Sequence, residues 1–145
     1  MCEKPILNEA TASVQIHLGI MQSVIQRMAN NSSACKTWCI TLVSAILVVV
    51  ADKSKFDYVF LAYLPVVLFM ALDTYYLSME HAFRKSYNNF IKNLHEGTLS
   101  TADLFYVKPA GNMFHHQIKS LCSFSVWSFY VMLGLAILLA RQLII

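Results

Sequence analysis

Asp73 stands directly after an uncharged apolar run, Tyr58 to Leu72. A carboxylate in that position needs a partner or water. Two settings supply one. Lys36 falls just before the preceding apolar run, so an Asp73–Lys36 pair between antiparallel helices is the first. The second is a ring of carboxylates at a pore mouth, which an oligomer would build and which favours cations. Further on, His81, Arg84, Lys85, Asn88 and Lys92 recur at helical-turn spacing, interleaved with Phe83, Tyr87 and Phe90. His115, His116 and Lys119 return to the same level ahead of the last apolar run. Cations mixed with rings and amides are what a single-stranded nucleic acid or a nucleotide requires. Anionic lipid headgroups call for the same residues, and sequence does not separate the two. The expected nucleic-acid contacts are Arg84, Lys85, Tyr87, Asn88, Lys92, His115, His116 and Lys119.

Other chemistry is poorly supported. Ser120, Ser123, Ser125 and Ser128 place hydroxyls in the first half of the last apolar run, where they suit helix packing and could also line a narrow pore, Ser125 and Ser128 above all. Adjacent His115 and His116 point about 100° apart on a helix, so they do not share a metal ion. Cys2, Cys35, Cys39 and Cys122 show no disulfide framework, and Cys35 and Cys39 have neither metal spacing nor a histidine pair. They read as reduced structural thiols. There is no nucleophile–base–acid set, phosphate loop or pair of carboxylates in a cleft. No enzyme, metal site or cofactor is expected.

The elements that must position these residues are helices in a membrane. Of 145 residues, 57% are hydrophobic and 13% charged. Leu121 to Ala140 carries no charge over twenty residues, enough to cross a hydrocarbon core of ~30 Å. Thr37 to Ala51 and Tyr58 to Leu72 are shorter, and flanking amphipathic residues extend each by a turn. In lipid, backbone groups find no water, so such runs cross as helices. The fold class is therefore all-α: an integral membrane protein with three spans, an N-terminal amphipathic helix and an extension of the second span. The first twenty residues show no signal-peptide pattern. Lys4, Arg27, Lys36, Arg84, Lys85, Lys92, Lys108 and Lys119 fall on one side, against Lys53, Lys55 and Arg141 on the other. Eight against three predicts a cytoplasmic N-terminus and an outward C-terminus.

Along the chain, Val14, Leu18, Met21, Ile25 and Met28 form a heptad-like seam, with Ile16, Ile20 and Val24 as a second apolar edge. Asn30-Asn31-Ser32-Ser33 is expected to break that helix and cap the next. Lys36 and Trp38 anchor the first span at the interface. Ala51 to Lys55 is a tight turn, and Pro65 falls mid-span, where it should kink the helix. The second span continues to Leu94 and Gly97 ends it. Thr98 to Asn112 is loop, with a short turn near Leu104 to Tyr106. A helix from Met113 then runs unbroken into the third span. The organisation is residues 1–33 as a cytoplasmic amphipathic helix, 34–77 as a transmembrane hairpin, 78–119 as a cytoplasmic helix and loop, and 120–145 as the third span.

Two strings carry a resemblance. One is Arg27-Met28-Ala29-Asn30-Asn31-Ser32 followed by Lys36-Thr37-Trp38-Cys39-Ile40-Thr41-Leu42. The other is Ala62-Tyr63-Leu64-Pro65, then Asp73-Thr74-Tyr75-Tyr76-Leu77 with Glu80, Phe83, Arg84 and Tyr87. Together they resemble small bacterial membrane proteins found beside antiviral defence genes, with the membrane effectors of the Hailong antiphage system as the functional match. The resemblance covers residues 7–87, and the last third matches only as a generic span. It implies a tetrameric ion channel in the bacterial inner membrane, with the C-terminus periplasmic. It also implies a partner nucleotidyltransferase, whose DNA oligomers hold the channel shut until infection removes the restraint. It carries over no ligand-contacting residue. The expected function is thus an oligomeric channel effector of antiphage defence, gated by a cytoplasmic nucleic acid or nucleotide, that depolarises the membrane. The alternatives are a non-conducting anchor or scaffold that recruits a soluble partner through residues 78–94, and a holin-like lesion indifferent to the charged cluster.

Overall fold

The computed structural model describes residues 7–52 and 56–144. Cys2, Lys4, Lys53, Lys55 and most of the turn after the first span lie outside them. Four α-helices account for most of the described chain: α1 (Ala12–Asp52), α2 (Tyr63–His95), α3 (Met113–Leu121) and α4 (Phe124–Ile144). A 3-10 segment, Phe56–Ala62, leads into α2, and a 3-10 turn, Thr101–Asp103, lies in the loop before α3. Three of the helices are long and apolar enough to cross a membrane.

The longest helix follows from one continuous seam. Val14, His17, Met21, Ser32, Cys35, Cys39, Val43 and Val50 are its buried residues, and every interval is a sum of steps of three and four. That stripe faces α2 from end to end. With 41 residues, α1 is roughly 60 Å long, twice the hydrocarbon thickness of a bilayer. The expected break at Asn30–Ser33 does not occur. Asn and Ser cost only about half a kcal/mol each in a helix interior, and Ser32 is turned inward, where α2 offers it a carboxylate. The divisions after residues 33 and 77 therefore fall inside unbroken helices.

Pro65 is the third residue of α2 rather than its midpoint. A proline is tolerated in a first turn, where its fixed φ suits the helix, and α2 runs on unbroken from Pro65 to His95. Gly97, at φ +67°, ends α2 as expected. The loop turn forms three residues earlier than predicted, at Thr101–Asp103. Ser100 caps it, and Asp103 answers with a hydrogen bond from the Ser100 N–H at 2.9 Å. The last helix is not continuous: α3 stops at Leu121 and α4 restarts at Phe124. The two segments bury different faces. α3 leaves Phe114, Ile118 and Leu121 outward, α4 turns Val126, Tyr130 and Ile137 inward, and the break re-aims the chain between those demands.

Two apolar cores result. One, between α1, α2 and α4, holds Cys39, Val43, Val66, Val126, Tyr130 and Ile137. Here Tyr63 donates to the Gly134 carbonyl at 3.1 Å and ties α2 to α4. The other, between α1, α2 and the loop, holds Val14, Met21, Phe90 and Leu94, with Leu18, Leu104 and Val107 against them. Around the first core the outward surface is itself apolar, with Val48, Leu64, Val67, Phe124, Trp127 and Met132 exposed. In water such a surface would be costly; against acyl chains it is neutral.

Candidate functional site

Between the two cores lies a polar layer. Asp73 is completely buried there, and Lys36 brings its ammonium to Oδ2 at 2.6 Å. Ser32 Oγ donates to Oδ1. Ser32 and Lys36 are one turn apart on α1, so one face of that helix supplies both partners. The expected Asp73–Lys36 pair is thus present, and it leaves Asp73 facing the interior of the bundle. The Tyr130 hydroxyl of α4 is buried beside the carboxylate, within side-chain hydrogen-bonding and electrostatic reach of Asp73, and Ser120 Oγ is buried with no hydrogen-bond partner among the described residues. Cys35 and Cys39 are buried free thiols beside this layer. Thr74 and Ser78 return their hydroxyls to carbonyls of their own helix, at 2.7 Å each.

The cationic residues, expected as one cluster, divide between two sides of α2. On the α1 side, Arg84, Tyr87 and Asn88 line a groove of about 400 Å³ with Gln22, Ile25 and Gln26. Arg84 Nε donates to Glu80 at 2.7 Å, which fixes the guanidinium and compensates its charge, while the side chain stays 59% exposed. Gln22 Nε2 donates to the Tyr87 hydroxyl at 3.2 Å across the groove. Gln26 reaches Asn30 at 2.8 Å.

On the α3 side the partners differ. The Ala110 N–H donates to the Ala82 carbonyl at 3.1 Å and holds the start of α3 against α2. Gly111, at φ +99°, sits in the left-handed region, and a Cβ there would stand 2.7 Å from His116 Nε2 and 3.3 Å from Lys85 Nζ. Those two nitrogens therefore converge over the glycine. His81 lies within electrostatic reach of Glu80, Lys119 and His116. No carboxylate pairs with Lys85 or Lys119 among the described residues, where Asp73, Glu80, Glu96 and Glu9 serve Lys36, Arg84, Lys92 and His95. Lys92 lies apart, loosely paired with Glu96 at 3.7 Å and largely exposed. His115 is exposed, its ring centroid 6.3 Å from that of His116. No group of three or more metal-ligating side chains occurs among the described residues.

Of the α4 hydroxyls, Ser128 is satisfied by the Phe124 carbonyl and Ser125 is exposed. A hollow of about 660 Å³ lies against Leu42, Ile46, Val49, Tyr58, Leu61 and Leu64, at the far end of the bundle from the cationic residues. Its walls offer almost nothing to orient a polar ligand.

His17 was not singled out by sequence, although a polar residue between Val14 and Met21 on an apolar seam is a signal. It is buried, stacks on Phe90 at 4.5 Å and accepts the Phe105 N–H on Nδ1 at 2.9 Å. Burial pushes its imidazole below the ordinary value. Phe105, at φ +63°, is held in a conformation costly for an aromatic residue. The loop is thus pinned to α1 at that point. Gln22 and Gln26 were visible only as residues off the seam, and Gly111 only as a loop glycine.

Compared with protein-family models, curated proteins and solved structures, the chain matches none.

Proposed function

We propose that this chain is one subunit of an oligomeric ion channel in the bacterial inner membrane. Its opening depolarises the membrane as an antiphage effector, under control of a cytoplasmic nucleic acid or nucleotide. The N-terminus and the groove-bearing halves of α1 and α2 are cytoplasmic, and the C-terminus is periplasmic. The observation that carries this proposal is continuity. The groove between Gln22, Gln26, Arg84, Tyr87 and Asn88 and the apolar spans belong to the same two unbroken helices. A ligand that parts or clamps α1 and α2 at the groove acts directly on their membrane halves, through the polar layer at Lys36 and Asp73. Amides and a phenol suit the edges and faces of a nucleobase, and the exposed end of Arg84 suits one phosphate.

A lone three-span subunit makes a poor pore, so assembly is part of the proposal, and a tetramer is the expected form. Ile16 and Ile20, exposed on the polar half of α1, offer an apolar edge for a neighbouring subunit. The test is single-channel conductance of purified protein in a planar bilayer, with and without short single-stranded DNA at low salt. Discrete steps that the DNA abolishes or evokes are expected. A silent bilayer containing correctly oriented, oligomeric protein would overturn conduction and favour a scaffold that recruits its partner through residues 78–94.

A further inference from the structure

We propose that the α2–α3 side holds a binding site for one anionic phospholipid of the inner leaflet, with its phosphate over Gly111 and an acyl chain in the adjoining groove. The site rests on the membrane placement proposed above and is independent of channel activity.

Two halves of the site are on one line. Val67, Ala71 and Thr74 share a face of α2, at steps of four and three, and His81 and Lys85 continue that face toward the cytoplasm. Beside Val67, Ala71, Thr74 and Tyr75, the side chains of Ile118 and Leu121 close an apolar groove of about 420 Å³ between α2 and α3. From Thr74 to Lys85 the helix rises roughly 16 Å, about the reach from a lipid's phosphate to the middle of an extended acyl chain. At the far end Lys85 Nζ and His116 Nε2 converge over Gly111, with Lys119 and His81 nearby.

Charge decides the occupant. Lys85 and Lys119 have no acidic partner among the described residues, so the head end keeps two unpaired lysines although Glu80 acts on neighbouring His81, while its continuation is apolar. A nucleic acid would leave the apolar half empty, and a zwitterionic lipid would bring its own cation to the lysines. An anionic lipid fills both halves. The outward face of α3, with Phe114 and Ile118 exposed, places this short helix at the membrane surface, where such lipids are. Cations near an anionic bilayer surface gain about a factor of five in binding each.

The experiment is native mass spectrometry of the full-length oligomer released from nanodiscs of phosphatidylglycerol and phosphatidylcholine in equal parts. Wild-type protein is expected to retain phosphatidylglycerol preferentially. K85Q/K119Q should cut that preference by roughly tenfold or more. A71W, which fills the groove and leaves the cations, should also lose the lipid. R84Q, on the other side of α2, should retain it. Circular dichroism and resistance to carbonate extraction of membranes report folding and insertion separately, so failure of membrane placement is distinguished from failure of the site. Equal retention of the two lipids by wild type, or an unchanged preference in K85Q/K119Q, would overturn the proposal. So would full displacement of the lipid by soluble glycerol phosphate, which would show that the site reads phosphate alone.

Discussion

On its α1 side, helix α2 presents Arg84, Tyr87 and Asn88 to a groove walled by glutamines; on its α3 side it presents His81 and Lys85 to a glycine and a histidine. Residue types are similar, yet the settings differ. Glu80 compensates Arg84, so the first side offers hydrogen bonds and a ring with little net charge. Lys85 and Lys119 have no such partner among the described residues, and an apolar groove adjoins them. A cationic cluster in a sequence is therefore not one site. Where each carboxylate and each apolar wall falls decides what ligand chemistry each part accepts.

The largest effect should come from the layer on which both sides depend. Asp73→Ala strands Lys36 at the edge of the bundle, and breaking a buried pair costs about 3 kcal/mol. Thermal unfolding in detergent should show the loss, with both the DNA response and lipid retention weakened together. Replacing both charges, K36L/D73L, should cost less than D73A alone, because no uncompensated charge then remains. If D73A instead spared stability and impaired only one side, the layer would not be their common support.

Gly111→Ala should act on the α3 side alone. It forces a Cβ into the left-handed region and against His116 Nε2, a local strain of about 1–2 kcal/mol. Lipid retention should fall while the DNA response of the channel persists. Loss of both would merge the two sides into one.

Arg84→Gln should do the reverse. The apparent affinity for short single-stranded DNA should drop about fivefold to tenfold per subunit site at low salt. The slope of log affinity against log salt should shrink by roughly 0.7 for the lost phosphate contact. Thermal stability should fall by less than in Asp73→Ala, since Glu80 is buried but the substituted amide can still donate to it.

The smallest effect concerns the pinned loop. The His17 imidazole, outside the apolar runs, has its value lowered by burial, so its contribution to stability is complete above the ordinary imidazole range near 6.5. As pH falls below that and through the lowered folded value, protonation removes the acceptor from the Phe105 N–H. Hydrogen exchange at the Phe105 amide should then speed several-fold relative to the neighbouring loop amides, with α2 unaffected. Identical exchange of His17→Gln and wild type across this range would show that the imidazole does not pin the loop.

Composition and periodicity alone determined the class of this protein. Uncharged runs around Val43, Val66 and Leu135, and the seam through Val14 and Met21, dictate apolar helices because backbone groups and side-chain periods leave no other choice. The pairing of Lys36 with Asp73 was legible too, since both border apolar runs. Helix ends were less so. Asn30–Ser33 carries a breaking signal worth less than the contact that Ser32 makes with Asp73, and Pro65 falls in the first turn of α2, where a proline is tolerated. The division of the cations, the Glu80 compensation of Arg84 and the convergence of Lys85 and His116 over Gly111 were decided only by tertiary structure. Spacing along one helix gives a side chain its direction. It does not say which neighbour will pack there, and α1 and α3 supply opposite surroundings to residues one position apart.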